Sequence, residues 1–254
     1  MRDIITFLRM ARPMEETAYS LMHEIEDRLW WYRGRRRVCF DLLDRFLAPA
    51  PERRILDVGC GTGYNMAHLR KYGSVQGVDM SEEALRFCRQ RGEMNVALHR
   101  AGELPFPDQS FELLTAFDVL EHIEDDRGAL REFDRLLVPG GWLLIYTPAL
   151  PWMYNEHDRK VEHKRRYVKA ELMDKLDQAG FEIKHLSYVN LLILPVVLLA
   201  RLFYKLRPGS HAEMQVPPEP FNWFFTALSY LEARLVNGPA LPYGMTLVAL
   251  ARKG

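Results

Sequence analysis

The stretch ILDVGCGTGYN, residues 55–65, constrains the fold of this chain more than any other. A hydrophobic run ends at Asp57, and glycines follow at alternate positions, Gly59, Gly61 and Gly63. Glycines spaced this closely let a backbone turn sharply and approach a ligand without collisions at Cβ. The stretch therefore predicts a buried strand, a ligand-binding loop and the start of a helix.

The pattern after Arg54 alternates between short apolar runs and helical stretches. The predicted strands are RILDVG, SVQGVDM, MNVALHR, FELLTAFDVL, WLLIYTP, FEIKHLSYV and YGMTLVALARK. Strands that alternate with helices indicate a parallel sheet covered on both faces. Right-handed crossover connections make such a sheet doubly wound. The predicted fold class is therefore α/β.

Four segments make up the predicted organisation of the chain. Residues 1–50 are helical by the spacing of their apolar residues, and residues 51–190 form the core. Residues 191–240 form a hydrophobic helical insertion that contains the proline-rich loop VPPEPF. Residues 241–254 return to the core as its last strand.

The charges around the glycine loop indicate the kind of ligand it holds. Dinucleotide sites use G-x-G-x-x-G, with the pyrophosphate at the helix N-terminus. Here the spacing is G-x-G-x-G, and the preceding Asp57 would repel a pyrophosphate. Asp79 ends the next strand, about 20 residues further on, where an acid contacts ribose hydroxyls in this kind of fold. These residues together favour an adenosine with a cationic tail, and S-adenosylmethionine is that ligand.

Several motifs of the chain resemble, in order, those of class I S-adenosylmethionine-dependent methyltransferases, and the type-11 group in particular. They are ILDVGCGTG, GVDMS, LPFPDQSFELLTAFDVLEHI and LLVPGGWLLIYTP, which lie within residues 53–148. The resemblance implies a Rossmann-like sheet of seven strands, mostly parallel, with an antiparallel C-terminal strand. It also implies that the N-terminal helices form a lid over the active site.

The resemblance further implies which residues contact the cofactor. Gly59, Gly61 and Gly63 would lie against its methionine part with Asp57 nearby, and Asp79 would hold the ribose. Met80, Ala101 and Glu103 would surround the adenine, while Phe117, Asp118 and Val119 would lie near the sulfonium.

Two charged segments follow the fourth and fifth strands and supply the catalytic candidates. They are EHI at 121–123 and EHDRKVEHKRRY at 156–167. A hydroxyl acceptor must lose its proton, and histidine is the usual base. We predict His157 as this base, with His122 and Tyr167 as further catalytic candidates. The alternatives are a structural pairing in the first segment and a solvated charged loop in the second.

A metal site has no support from residue spacing. The acids and histidine between residues 118 and 126 could surround a divalent cation, but their spacing matches no metal motif. We therefore predict no metal.

Two further stretches of the sequence bear on the nature of the methyl acceptor. In WWYRGRRR, at 30–37, the candidates for substrate binding are Trp31, Tyr32 and Arg33, joined by Arg166. These aromatic and guanidinium groups suit an anionic or aromatic acceptor, although the tryptophans could instead pack the helix onto the sheet. The uncharged run 186–200 is shorter than the roughly 20 residues of a membrane span. It is either a buried segment or acceptor pocket, or part of an interfacial segment, 186–207, at the inner face of a membrane.

Composition narrows the function classes. A formal net charge of +0 argues against a nucleic-acid partner. The N-terminus has no secretory signal pattern, and the three cysteines indicate reduced thiols of a cytoplasmic protein. The leading hypothesis is methyl transfer to oxygen of a small or lipid-linked metabolite. The alternatives are a cofactor-binding protein without turnover and, with least support, a nicotinamide-dependent reductase.

Overall fold

The computed structural model describes residues 14–102, 104–199, 217–236, 238 and 240–254. The predicted cofactor contact Glu103 lies outside the described residues, as does the part 200–207 of the predicted interfacial segment. The predicted segment bounds 1–50 and 191–240 also reach beyond them. These bounds stay predictions.

One seven-stranded sheet forms the centre of the molecule. Its strands are β1 Arg54–Val58, β2 Ser74–Asp79, β3 Val96–Leu98, β4 Phe111–Phe117, β5 Leu137–Pro148, β6 Phe181–Val189 and β7 Thr246–Lys253. Their order across the sheet is β3-β2-β1-β4-β5-β7-β6. Strand β7 runs antiparallel to β5 and β6, whereas β1 to β5 pair in parallel. The predicted Rossmann-like sheet with an antiparallel last strand is confirmed.

Helices connect the strands and cover both faces of the sheet. They are α1 Met14–Ile25, α2 Trp30–Phe46, α3 Tyr64–Leu69, α4 Glu82–Gln90, α5 Asp126–Leu136, α6 Glu156–Lys160, α7 Lys169–Gln178 and α8 Glu219–Val236. Short 3-10 turns occupy Leu120–His122 and Pro151–Met153. Residues 194–199 are also helical.

The sequence of β1 shows why the sheet is buried on both faces. Successive side chains of a strand point to opposite faces. Ile55 packs in the buried cluster on one face, and Leu56 and Val58 pack in the cluster on the other. Asp57 is therefore the one charged side chain buried within this strand. Its burial needs a reason beyond packing, since buried charges are costly unless they are paired.

Helix α5 illustrates how local sequence places a helix on the sheet. Asp125 caps its N-terminus by accepting a hydrogen bond from Gly128 N at 2.8 Å. Its buried residues Ala129, Leu130, Phe133 and Leu136 recur at helical spacing and face the sheet. Burial of each large apolar side chain of this kind stabilises the fold by about 1.5–3 kcal/mol.

Helices α2 and α8 pack closely against each other. A Cβ added to Gly34 would lie 2.7 Å from Ser229 Cβ, so the glycine is needed for this approach. The buried Glu232 of α8 accepts hydrogen bonds from the backbone N–H groups of Asn190 and Leu192, just beyond β6. Helix α2 is thus connected through α8 to the edge of the core sheet, next to β6.

The apolar run 186–200 does not form one element. Its first four residues belong to β6, and a turn at 191–193 precedes the helical residues 194–199. Val196 and Leu199 are exposed, whereas Ile193 and Leu194 are buried. Across the part of the chain that the structure describes, no helix combines the length and the apolarity needed to cross a bilayer.

Candidate functional site

The glycine loop lies between the carboxyl ends of β1, β2 and β4. Gly59, Gly61 and Gly63 have φ angles of 66°, 55° and 81°, in the left-handed region that glycine adopts at no steric cost. A Cβ on Gly59 would lie 2.3 Å from Val119 Cγ2, so no larger residue fits there. The loop is thus held against Val119, just beyond β4, in a conformation that favours glycine.

Asp57 is buried beneath this loop with an incomplete set of hydrogen bonds. Its Oδ1 accepts a hydrogen bond from Thr115 Oγ1 at 2.7 Å. Its buried Oδ2 has no hydrogen-bond partner. Burial raises the pKa of Asp57 to about 7, although Thr115 and Arg35 oppose the rise. An unpartnered, buried carboxylate oxygen of this kind is suited to a cationic ligand.

Asp79 lies at the end of β2, beside the same loop. Its Oδ2 accepts a hydrogen bond from Gly61 N at 2.9 Å, and its Oδ1 accepts one from Ser81 N at 3.0 Å. The Tyr19 hydroxyl donates a long hydrogen bond, 3.4 Å, to Oδ1. Burial raises the pKa of Asp79 in spite of these bonds. A carboxylate accepts about four hydrogen bonds, so Asp79 has capacity for a ligand hydroxyl.

The residues after β4 form the wall opposite Asp79. Asp118 has a φ of 54° and forms an ion pair with the buried Arg35, 2.5 Å between Oδ2 and Nη1. Phe117 is buried, and the Arg35 guanidinium lies 5.7 Å from the centre of its ring. Of the predicted adenine contacts, Met80 is 59% exposed and Ala101 is partly buried. An exposed methionine at the end of β2 is free to cover a planar ligand.

The N-terminal helices cover the glycine loop from outside. The buried Glu26, just after α1, accepts hydrogen bonds from the Thr62 hydroxyl and from Arg91 Nη2, the latter at 2.6 Å. A Cβ on Gly61 would lie 3.2 Å from Met22 Cε. These contacts connect α1 to the loop. The position of α1 is therefore set by individual side-chain contacts, which no sequence motif indicates.

The predicted substrate-binding residues do not form one group. Tyr32 is buried, with the Arg35 guanidinium 5.0 Å from its ring centre. Trp31 is partly buried and packs edge-on against Trp30, with ring centres 5.5 Å apart. The Arg33 guanidinium lies 6.0 Å from the Tyr230 ring centre on α8. Arg166 is at a separate place, beside α6.

A buried carboxylate, Asp158, organises the segment after β5. Its side chain accepts hydrogen bonds from His163 Nδ1 and Arg166 Nε, both at 2.8 Å, and from Asn155 N at 2.9 Å. Burial alone would raise the pKa of Asp158, but these bonds hold it well below its ordinary value. Asp158 therefore stays ionised and fixes the orientation of the His163 ring.

Glu121, His122 and His163, which we call the Glu121 cluster, lie together at the ends of β4 and β5. Glu121 is fully buried, and its Oε2 accepts a hydrogen bond from Thr147 Oγ1 at 3.0 Å. Its Oε1 has no hydrogen-bond partner and lies 3.8 Å from His163 Nε2. The imidazole rings of His122 and His163 pack edge to face, with their centres 4.8 Å apart.

Burial affects the two acid–base groups of the cluster in opposite directions. It raises the pKa of Glu121 well above its ordinary value, and the nearby Asp118 adds to the rise. It lowers the pKa of His122 to about 4, and His163 adds to the fall. His122 is therefore neutral at pH 7.

The three predicted catalytic residues lie in three different environments. His122 belongs to the Glu121 cluster, whereas His157 is exposed on α6. Tyr167 is fully buried and donates hydrogen bonds to Asp126 Oδ2 at 2.8 Å and to Leu120 O at 3.2 Å. Sequence reasoning did not select Glu121 and His163 as site residues. The indication was present in the two Glu–His pairs of EHI and EHK, which the fold brings together.

An open cleft of about 690 Å³ reaches the cluster from the surface. It is lined by Glu124, Tyr154, Arg159, Glu162, His163, Lys164 and Arg165. His163 is the member of the Glu121 cluster that lines this cleft. Most of the side chains that line the cleft are charged.

Comparison with known proteins identifies relatives of the central domain. Residues 56–145 match a family model described as a methyltransferase domain. Ubiquinone biosynthesis O-methyltransferase of Paracidovorax citrulli is 30% identical over 141 residues, which cover 52% of this chain and 54% of that protein. Demethylmenaquinone methyltransferase of Chlorobaculum parvum is 38% identical over 104 residues, which cover 39% and 43%. The chain thus spans about half the length of these curated relatives.

A solved structure extends the likeness to the whole fold. An S-adenosylmethionine-dependent methyltransferase of Thermotoga maritima superimposes with a TM-score of 0.59, covering 94% of this chain and 96% of that one. The two sequences are 21% identical. At this identity the likeness concerns the fold alone.

Proposed function

We propose that this chain is a class I S-adenosylmethionine-dependent methyltransferase and that it transfers the methyl group of S-adenosylmethionine to a hydroxyl oxygen. The observation that carries the proposal is the buried Oδ2 of Asp57, which has no partner beneath the glycine loop. A sulfonium compound with an α-amino group offers a cation to this oxygen and no phosphate. The residues of the crevice therefore fit the cofactor of the family.

Each part of the crevice has a distinct task in cofactor binding. The loop glycines let the backbone approach the ligand, as their positive φ angles require. Asp79 accepts hydrogen bonds from ribose hydroxyls, and Met80 packs on the adenine. Phe117, Asp118 and Val119 line the side on which the reactive methyl group lies.

Bound S-adenosylmethionine supplies an electrophilic methyl group that needs no further activation. The chain must then align the acceptor oxygen and remove its proton. The Glu121 cluster lies just after Asp118 and holds a neutral imidazole in His122. We propose that the acceptor hydroxyl is deprotonated at this cluster and not at the exposed His157.

The acceptor that we propose is a small or lipid-linked hydroxyl compound of the quinone type. By their names, one relative that the chain matches is an O-methyltransferase of ubiquinone biosynthesis and another is a demethylmenaquinone methyltransferase. The exposed apolar residues Val196, Leu199, Phe221 and Trp223, on the helical segment 194–199 and on α8, are consistent with contact to a membrane surface. Of the predicted interfacial segment, residues 186–189 are buried in β6, so the proposed peripheral association is limited to the exposed residues of 194–199 and α8.

The test is a product screen with labelled S-adenosylmethionine. Purified protein is incubated with lipid and polar metabolite extracts, and labelled products are separated. A labelled methyl ether, with S-adenosylhomocysteine as by-product, is the expected result. Calorimetry with S-adenosylmethionine and NADH is run in parallel. Cofactor binding without any product would favour a protein without turnover, and binding of NADH alone would favour a reductase.

Two variants then separate the candidate bases. We expect His122→Asn to lower kcat by about 100-fold or more while cofactor affinity stays within about twofold, since general-base catalysis contributes 10²–10⁴-fold. His157→Asn should keep most of the activity. The reverse pattern would support the sequence-based choice of His157 and overturn the assignment to the cluster.

A further inference from the structure

We propose that Glu121, His122 and His163 bind one divalent transition-metal ion. Its open coordination positions would receive the acceptor oxygen, a clause that rests on the proposed function. In the loaded protein the ion, and no longer the imidazole of His122, would promote loss of the hydroxyl proton. The proposal reverses the sequence-based prediction of no metal. That prediction considered only residues 118–126, whereas the third ligand, His163, comes from a distant part of the chain.

The distances within the cluster suit a shared ion. One ligand atom from each of the three side chains lies within 4.8 Å of the others. Ligand atoms of a tetrahedral zinc ion are separated by about 3.3 Å, given bond lengths near 2.0–2.1 Å. Small side-chain rotations would close the difference. The backbone is already fixed across the site, because Lys164 N donates a hydrogen bond to Glu121 O at 2.8 Å.

The buried carboxylate oxygen of Glu121 points to a missing partner. Glu121 is fully buried, and Oε2 is satisfied by Thr147, but Oε1 accepts no hydrogen bond. His163 Nε2 lies 3.8 Å from Oε1, too far for a hydrogen bond. A direct Glu–His pair therefore does not account for the arrangement. A cation between the two atoms would satisfy both.

Both imidazoles are held from behind, as metal-binding histidines usually are. His163 donates from Nδ1 to Asp158 Oδ1 at 2.8 Å, which leaves Nε2 directed at the cluster. His122 forms a hydrogen bond to the backbone of Glu162. Each ring thus has one nitrogen anchored and one available. A histidine with a purely structural role has no need of this arrangement.

The charged groups around the Glu121 cluster do not prevent a cation from binding there. Asp118 lies near Glu121 and adds negative charge, although Arg35 pairs with it. Arg166 acts on Glu121 as an opposing charge, and Asp158 pairs with it at 2.8 Å. Lys164 faces the cleft, so its cation does not need to enter the site.

Two imidazoles and one carboxylate define the class of ion. This ligand set occurs in catalytic zinc sites and in mononuclear iron sites, and it leaves positions open for substrate. Manganese and cobalt ions accept the same donors. An ion there would lower the pKa of a coordinated hydroxyl and hold its oxygen in place. An aromatic or enolic hydroxyl acceptor would gain most from this effect.

The test measures metal binding without any acceptor. Full-length protein is freed of metal with a chelator and titrated with Mn²⁺, followed by electron paramagnetic resonance, and with Co²⁺, followed by visible absorption. Wild-type protein should bind one equivalent. Glu121→Gln and His163→Asn should each weaken binding by at least about 10-fold. His68→Asn, which removes an exposed histidine of α3, should leave the affinity unchanged.

Two outcomes would overturn the inference. One is the absence of binding by either ion at 1 mM, and the other is equal affinity in wild type and both cluster variants. Circular dichroism and cofactor calorimetry on the same metal-free samples confirm that the variants fold. If the protein binds S-adenosylmethionine but no metal, this inference fails and the proposed function stands. If it binds metal at the cluster but no cofactor, the reverse holds.

Discussion

Asp57 and Asp158 are both buried aspartates near the carboxyl edge of the sheet, yet their surroundings differ in kind. Asp57 shares one oxygen with Thr115 and has no partner for the other. Asp158 accepts hydrogen bonds from a histidine, an arginine and a backbone N–H. Accordingly, the pKa of Asp57 is raised and that of Asp158 is lowered. A carboxylate whose hydrogen bonds are supplied by the chain stabilises the fold. An incomplete carboxylate, one with unused hydrogen-bonding capacity, is suited to binding a ligand.

The largest expected effect concerns Asp158, the carboxylate whose hydrogen bonds are supplied by the chain. Asp158→Ala leaves Arg166 and His163 without their partner, and removal of one member of a buried pair costs about 3–5 kcal/mol. We expect a loss of about 3 kcal/mol in the free energy of unfolding at pH 7, measured with urea. Because the pKa of Asp158 is depressed in the folded state, its contribution is lost as pH falls below about 4. The difference between variant and wild type should shrink there.

Asp174→Ala is the matched control for this prediction. Asp174 forms an ion pair with Arg127 at 3.2 Å, in which both side chains are largely exposed. Such pairs contribute about 0–1 kcal/mol. If both variants lose equal stability, the contrast between buried and exposed partners is wrong.

A substitution at Asp79 tests whether a carboxylate with unused hydrogen-bonding capacity binds the cofactor. It keeps two backbone hydrogen bonds and one long bond from Tyr19. Asp79→Asn should weaken S-adenosylmethionine binding by about 10- to 100-fold, since hydrogen bonds to a charged group contribute about 1.5–3 kcal/mol. Calorimetry measures the affinity, and thermal unfolding of the free protein checks the fold. A change of less than about threefold would remove Asp79 from the ribose site.

Asp57→Asn should act on stability in the direction opposite to Asp158→Ala. The folded-state pKa of Asp57 is about 7, so wild-type protein loses stability as pH rises from about 4 to 7, where the unfolded chain ionises first. The variant has no such loss. It should therefore be more stable than wild type by about 1–2 kcal/mol at pH 8, and the two should converge at or below about pH 4.

The same substitution should weaken cofactor binding, because the cation loses its partner. Calorimetry near pH 6 in buffers of different ionisation enthalpy should show proton release on binding by wild type and none by the variant. A variant that is less stable than wild type at pH 8 would contradict the view that Asp57 is held at a cost to the fold.

The cofactor side of this comparison could be predicted from sequence because it is encoded locally. Gly59, Gly61 and Gly63 are needed for their own backbone angles, and Asp57 and Asp79 end neighbouring strands. Parallel strands bring their carboxyl ends to one edge, so adjacent motifs are adjacent in space. The parallel pairing of β1 to β5 followed from the alternation of strands and helices.

The acceptor side could not be predicted in this way because its parts come from separate segments. Glu121 and His163 meet only once α6 and the following loop return to the edge of the sheet. The two Glu–His pairs in the sequence mark these residues but do not show that they become neighbours. The exposure of His157 depends on how α6 lies, which its charged sequence leaves open. The contact between Tyr19 and Asp79 likewise depends on the packing of α1.

The contact between Tyr19 and Asp79 carries the smallest expected effect and connects helix α1 to the cofactor crevice. The Tyr19 hydroxyl occupies Oδ1 of Asp79, where a ribose hydroxyl would otherwise bond. At 3.4 Å the bond is weak, so Tyr19→Phe should tighten cofactor binding by only about two- to threefold, measured by calorimetry. The gain should vanish in an Asp79→Asn background, because the two groups act on one oxygen. Weaker binding by the single variant would mean that Tyr19 holds the lid closed over the ligand and does not compete with it.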